Sequence, residues 1–281
     1  MSSFIEFYQN IPFYLNPEIF SWGGFSLNWY SLMYLLGLAV IYALLRKRLQ
    51  EKKYTQINLK TIEDFLFWSF LGLLIGARIG YVLFYDVSFY WENPWAIVSP
   101  FDPNTGEFIG IYGMSYHGGF LGALLVGWIF IKIRNIDFWF WADFIAPAIP
   151  AGYFLGRIGN FLNGELYGRP TEKFWGMRFP SDSQNFLRHP SQLYEAFLEG
   201  FLLFVILWNA RSKKNFKNKL FALYILTYSL FRFLVEFFRQ PDEQIGYIFG
   251  FLSLGQILSL VMFFVGIVIL EWSKKTRSDI I

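Results

Sequence analysis

The stretch Gly156–Pro170, GRIGNFLNGELYGRP, sets two arginines, two asparagines, one glutamate and four glycines between long apolar segments. Its glycines let the backbone turn where other residues cannot and let a ligand approach closely. Arg157, Asn160, Asn163 and Glu165 supply donors and acceptors suited to an oxygen-rich, anionic group. The competing reading is a satisfied polar turn that merely joins two helices. So much hydrogen-bonding capacity at the mouth of an apolar helix favours the first.

The flanks decide the fold. Of 281 residues, 55% are hydrophobic, 22% aromatic and only 16% charged, where a soluble domain carries about a quarter charged. The chain is therefore expected to be an all-α, polytopic membrane protein, with residues 1–281 forming a single integral membrane domain. A net charge of +3 gives no sign of a nucleic-acid partner. The absence of cysteine excludes disulfides, thiolate metal sites and a thiol nucleophile borne by the enzyme. With only His117 and His189, a histidine-rich metal centre is not expected. Residues 1–21 lack the basic n-region of a cleavable signal peptide, so the first apolar run is expected to stay in the bilayer.

Seven runs approach the roughly 20 apolar residues a span requires. They lie near 25–45, 63–85, 116–133, 138–156, 192–209, 219–238 and 248–272. The fourth is interrupted by Asp143, Pro147 and Pro150, which predicts a kink. The segments after the first, third, fifth and seventh runs hold 16 of the 24 basic residues, whereas 1–24 and 86–115 hold none. The positive-inside rule then predicts the N-terminus outside and the C-terminus in the cytoplasm. In that orientation His117, the segment 157–190 and the end of the sixth helix collect at the outer face. Arg78 lies about 10 Å below the outer end of the second helix.

Within the sixth run, Tyr228, Arg232, Glu236 and Arg239 recur at spacings of four, four and three, placing them on one helical face. A charge near the centre of a membrane helix costs about 2.5–3.5 kcal/mol, so Arg232 must face the bundle or a wet cavity. Either Arg232 and Glu236 neutralise each other, or Arg232 clamps a phosphate or carboxylate with its guanidinium fork. His117 precedes Gly118 and Gly119 at a helix start, where it serves as a hydrogen-bonding spacer or a proton carrier. In RHPSQLYEAFLEG, Pro190, Ser191 and Gln192 signal a helix start; Glu195 and Glu199 share one inward face, and His189 reads as structural. Gly76 and Gly80 around Arg78 allow close helix packing, leaving Arg78 to pair with Glu165, Glu195 or Glu236, or to meet a lipid headgroup.

GRIGNFLNGELYGRP closely resembles the signature of the prolipoprotein diacylglyceryl transferases, bacterial inner-membrane enzymes. GARIGYVLFY (76–85), SYHGG (115–119), RHPSQLYE (188–195), FRFLVEFFRQPD (231–242) and LSLGQILS (252–259) resemble that family's elements in the same order. The resemblance implies a multi-pass enzyme of seven helices with its active site towards the outer, periplasmic side. It would move the diacylglyceryl group of phosphatidylglycerol to the lipobox cysteine thiol of a prolipoprotein, yielding a thioether and glycerol phosphate. Its partners would be phosphatidylglycerol, the prolipoprotein signal peptide and bilayer lipids; no metal or organic cofactor is implied. The matched positions are Tyr30, His117, Arg157, Asn160, Glu165, Gly168, Tyr228, Arg232, Glu236 and Arg239. Of these, Arg157, Arg232, His117 and Glu165 are the candidates for the chemistry, and all but His117 and Glu165 for binding the lipid headgroup.

Expelling a phosphate from a glyceryl carbon requires stabilising the departing oxyanion and activating a thiol of pKa about 8.5. Arginines can do the first and, by placing positive charge beside the sulfur, assist the second. His117 or Glu165 would take the thiol proton. A transporter or binder of anionic lipids could use the same arginines without chemistry, but a transporter should show repeat symmetry and polar groups through the full depth. An intramembrane protease would need a serine with a base, paired aspartates or an HExxH helix; scattered serines and the isolated Asp143 do not supply one.

Overall fold

A computed structural model describes residues 2–22, 25–51, 54, 56–101, 105–108, 110, 113–241, 246–248 and 250–276. Lys52, Lys53, Asp242 and the tail 277–281, which figure in the motifs and charge asymmetry above, lie outside these residues. The protein is mostly helical, and five helices are long and apolar enough to cross a membrane: Trp29–Arg48, Leu59–Phe84, Tyr116–Ile133, Ser191–Ala210 and Leu254–Ser273. The chain divides into two compact units, one of residues 1–21, 26–45 and 142–281, the other of residues 22–25 and 46–141.

The first elements are α1 (Ser2–Gln9), α2 (Ile11–Tyr14), β1 (Glu18–Trp22), β2 (Phe25–Asn28) and α3 (Trp29–Arg48). The second unit is built on α4 (Leu59–Phe84), α5 (Val87–Glu92) and α6 (Tyr116–Ile133). Glycines make its main interface. A Cβ at Gly80 would lie 2.8 Å from Gly118 Cα, and one at Gly76 would lie 2.8 Å from Gly122 Cα. Small residues every four positions let the two backbones touch, as membrane helices do when lipid gives them no hydrophobic drive to associate. Both helices are capped, Asn58 accepting from Thr61 N at 2.8 Å and Ser115 from Gly118 N at 3.3 Å.

The rest of the first unit comprises α7 (Phe138–Ile145), α8 (Ile149–Leu162), α9 (Ser191–Glu195), α10 (Leu203–Ala210), α11 (Leu220–Val235), the hairpin β3 (Tyr247–Ile248) and β4 (Leu252–Ser253), and α12 (Leu254–Thr276). Helix boundaries shift by a few residues from the sequence expectation, and four features stand out. The fourth run is broken into α7 and α8, because Pro147 and Pro150 cannot donate to the helical ladder. Asp143, at that break, accepts from Phe221 N at 2.9 Å and so caps the N-terminus of α11 from a neighbouring helix. Between α9 and α10, residues Ala196–Leu202 form a π-helical turn instead of continuing the α-helix.

The sixth run ends as a helix at Val235, not 238, so Glu236 and Arg239 lie in its exit. The seventh starts at Leu254, because Tyr247–Ile248 and Leu252–Ser253 pair as the hairpin and Ser253 caps the helix. Ser253 Oγ accepts from Gln256 N at 3.2 Å while Gln256 Oε1 accepts from Ser253 N at 3.0 Å. This is a reciprocal capping box, satisfying two backbone donors at the helix start.

Candidate active site

Helices α8, α9 and α11 and the π turn face one another within the first unit, and their polar side chains meet at Glu195. This carboxylate is fully buried and touches three arginines: Arg157 Nε at 2.8 Å, Arg239 Nη1 at 2.9 Å and Arg232 Nη1 at 3.4 Å. Burying a carboxylate costs several kcal/mol unless cations and hydrogen bonds compensate it. Here α8 supplies Arg157, while α11 and its exit supply Arg232 and Arg239. Arg232 Nη2 also meets Glu236 Oε2 at 2.9 Å, and Arg239 Nε lies 3.6 Å from the same oxygen. The Arg232–Glu236 pair anticipated from sequence is therefore one edge of a larger network.

Arg157 extends that network through α8. Its Nε donates to the Tyr153 hydroxyl at 2.9 Å, and its Nη1 to Asn160 Oδ1 at 3.2 Å. Asn160 Nδ2 in turn donates to Glu165 Oε1 at 2.9 Å, so Arg157, Asn160 and Glu165 form one chain of bonds. Leu166, the next residue, has φ of +58°, a conformation that costs a non-glycine residue of order 1 kcal/mol or more. The turn is held there by Ser191 Oγ donating to Leu166 O at 3.1 Å and by Gln192 Nε2 donating to Glu165 O at 2.6 Å. The RHPSQLYE segment thus pins the GRIGNFLNGELYGRP turn.

Gly168 sits where backbone strands touch. It bridges Arg239, and its N–H donates to His189 O at 2.8 Å. A Cβ there would strike Phe238 O and stand 2.9 Å from His189 O, so only glycine fits. Arg169 beside it caps the exit of α11, donating from Nε to Arg239 O at 2.6 Å and from Nη2 to Glu236 O at 3.0 Å. Glu236 accepts from Ser253 Oγ at 3.1 Å, and a Cβ at Gly255 would come 2.5 Å from its carboxyl carbon. This explains the LSLGQILS element: serine bonds the carboxylate and glycine makes room for it.

Tyr30 packs at the edge, its Cα 3.4 Å from where a Gly159 Cβ would be, and its hydroxyl donates to Tyr34 at 3.1 Å. Tyr228 stands edge-on to Tyr153 with ring centroids 6.2 Å apart. The structure thus gathers Tyr30, Arg157, Asn160, Glu165, Gly168, Tyr228, Arg232, Glu236 and Arg239 in one unit. His117 belongs to the other unit, exposed in the first turn of α6, edge-on to Tyr116.

Sequence reading missed Tyr153, Arg169, Ser253 and the part played by Glu195. The signal for Tyr153 was available, since it precedes Arg157 by one helical turn. Arg78, left open between several carboxylates, donates instead to the carbonyls of Ala96 at 2.5 Å, Ile97 at 2.7 Å and Gly113 at 3.2 Å, and stacks over Tyr90. His189 is structural as expected: burial and then the nearby Arg169 hold its imidazole below the usual range, and Nδ1 lies 3.1 Å from the Tyr194 hydroxyl.

Membrane-length apolar helices, together with a buried arginine–carboxylate network in the first unit, define the class, a helical integral membrane protein with a buried polar site. The model of the prolipoprotein diacylglyceryl transferase family matches residues 17–272. A phosphatidylglycerol–prolipoprotein diacylglyceryl transferase of Chlorobaculum tepidum is 43% identical over 281 residues, covering 99% of this chain and 97% of that one. Proteins of the same name from Campylobacter lari, 41% identical over 98% of this chain and 100% of that one, and from Wolinella succinogenes, 42% identical over 95% and 97%, are similar to it as well. The chain belongs to the prolipoprotein diacylglyceryl transferase family.

Proposed function

We propose that this protein transfers the diacylglyceryl group of phosphatidylglycerol to the cysteine thiol of a prolipoprotein lipobox. The observation that carries the reading within the structure is the convergence of Arg157, Arg232 and Arg239 on one buried carboxylate. Guanidinium forks match phosphate oxygens in geometry and charge. The sulfur attacks the glyceryl carbon, the carbon–oxygen bond to phosphate breaks, and its electron pair leaves with glycerol phosphate. Arg157 and Arg232 would hold the phosphodiester and stabilise the charge that grows on the departing oxygen.

Asn160 would donate to a phosphate or ester oxygen, with Glu165 orienting it or accepting from glycerol hydroxyls. Tyr30, Tyr228, Glu236 and Arg239 would complete the headgroup pocket, and Gly168 would let the backbone of Arg239 come close. His117 or Glu165 would receive the thiol proton; a role for His117 requires that its unit bring it to the sulfur. The same reading has the protein in the bacterial inner membrane with seven crossings, α7 and α8 together making the fourth and α11 the sixth. Its N-terminus and site would be on the outer side, as the basic-residue asymmetry supports. The purified protein, given phosphatidylglycerol and a lipobox peptide, should form a thioether-linked lipopeptide and release glycerol phosphate. Lipid binding without peptide modification would instead make it an anionic-lipid binder or transporter.

A further inference from the structure

Among the described residues, three arginines, Arg157, Arg232 and Arg239, lie directly against three carboxylates, Glu195, Glu199 and Glu236, while Glu165 joins the network through Asn160. The carboxylates are not equally compensated. Glu195 meets all three guanidiniums, and Glu236 has Arg232 at 2.9 Å and Ser253 at 3.1 Å. Glu199 is fully buried, yet its Oε2 only accepts from the Tyr153 hydroxyl at 2.6 Å, and its Oε1 stands 3.8 Å from Arg232 Nη1 with no hydrogen-bond partner.

Glu199 is also held firmly in that position. It lies in the π turn Ala196–Leu202, a local widening of the helix that recurs at functional sites. The next residue, Gly200, is seated so tightly on α8 that a Cβ would come 2.7 Å from Phe154 Cα. The groups around Glu199 are Tyr153 and Arg157 from α8, Tyr228 and Arg232 from α11, and Glu195 on its own helix. Neither α10 nor the π turn itself contributes another titratable side chain.

A phosphodiester carries one negative charge into this balanced, low-dielectric network, where an uncompensated charge is costly. We propose that Glu199 is a positioning residue that takes one proton from water when the anionic headgroup binds. The proton forms an O–H bond at Oε1 and is returned when the phosphate leaves; no bond of the lipid changes in this step. Protonation frees Arg232 from Glu199 for the headgroup, and the Tyr153 hydroxyl transmits the change to Arg157, since it contacts both Glu199 and Arg157. The inference rests on the reading of the site as one for phosphatidylglycerol.

Calorimetric binding of phosphatidylglycerol to the whole protein in nanodiscs, in two buffers of different ionisation enthalpy, counts the protons taken up. Near one proton per lipid is expected at mildly alkaline pH for the wild type and none for Glu199→Gln. The wild-type affinity should fall about tenfold per pH unit on the alkaline limb, while that of Glu199→Gln, which is permanently neutral, should stay flat. Infrared difference spectra should show a protonated-carboxyl band appearing on lipid binding only in the wild type, a readout that a merely structural glutamate would not give. Unaltered uptake in Glu199→Gln, or tight wild-type binding with no uptake and no such band, would overturn the proposal. Should Glu199→Gln fail to accumulate, the wild-type calorimetry and spectra decide alone. Failure of the wild type to bind phosphatidylglycerol at all would instead remove the functional reading beneath it.

Discussion

Glu195 and its three arginines make substitution effects sharply dependent on geometry. Arg157 meets Tyr153 and Glu195 from Nε and Asn160 from Nη1 of one planar group, an arrangement a lysine ammonium cannot copy. Arg157→Lys should therefore accumulate in the membrane and lose about 10²-fold or more in turnover, the scale of removing one preorganised oxyanion donor. Transfer to a lipobox peptide at saturating lipid measures it, and near wild-type turnover would show that charge alone suffices. Arg232→Gln should likewise abolish transfer. The double change with Glu236→Gln distinguishes clamp from ion pair, since recovery of activity would mean that Arg232 only balanced Glu236. For His117, a larger loss in His117→Ala than in His117→Gln would mark a hydrogen-bonding role; equal losses of about 10²–10⁴-fold with normal protein levels would mark proton transfer.

At the level of elements, the π turn, the Gly168 bridge and the loop before α9 govern how the network is held. Gly200→Ala would push Phe154 away from the π turn, and overpacking of this kind costs about 1–3 kcal/mol. Its expected signature is lower thermal stability together with reduced lipid affinity, read from melting curves with and without phosphatidylglycerol. In the loop, Arg188 bonds Asp182 from Nε at 2.7 Å and Nη2 at 2.9 Å and holds its carboxyl below the usual range. A depressed carboxylate contributes stability that is complete above its unfolded value, near pH 4, and is lost as pH falls through the lower folded value. Hydrogen exchange over 171–188 should thus stay slow at neutral and mildly acid pH and quicken only below about pH 4. Asp182→Asn should quicken it at neutral and mildly acid pH, and the difference from the wild type should vanish once Asp182 is protonated.

For the molecule as a whole, the predictions concern the membrane. Basic residues cluster after alternate apolar runs, and that pattern orients helices without needing any tertiary contact. A reporter active only outside the cytoplasm should work when fused after Asn185 and fail when fused after Lys214. The reverse outcome would turn the arginine network to the cytoplasmic side and separate it from exported prolipoproteins. The five membrane-length helices do not include α8 or α11, which carry Arg157 and Arg232. Both arginines therefore sit on the shorter helices, where chain ends and turns supply hydrogen-bonding groups that an unbroken span keeps to itself.

Composition and apolar run length determined the class of fold, because a bilayer demands about 20 apolar residues per helix whatever the neighbours. The 116–133 run became Tyr116–Ile133 for that reason, and Gly76 and Gly80 forecast a close helix contact, whose partners proved to be Gly118 and Gly122. The signature motifs also marked Arg157, Arg232, Glu236 and Arg239, since charge inside apolar sequence is costly enough to stand out. Partnership was another matter. That Arg239 leaves its helix to bridge Gly168, that Asp143 caps α11 and that Tyr153 joins Arg157 to Glu199 depend on residues distant in sequence. The same holds for the π turn, whose Gly200 is seated against Phe154 of α8, a residue distant in sequence. Local pattern fixes which segments bury and which residues are out of place in lipid; only tertiary packing decides which of them meet, because meeting depends on the distances between helices and not on spacing along any one of them.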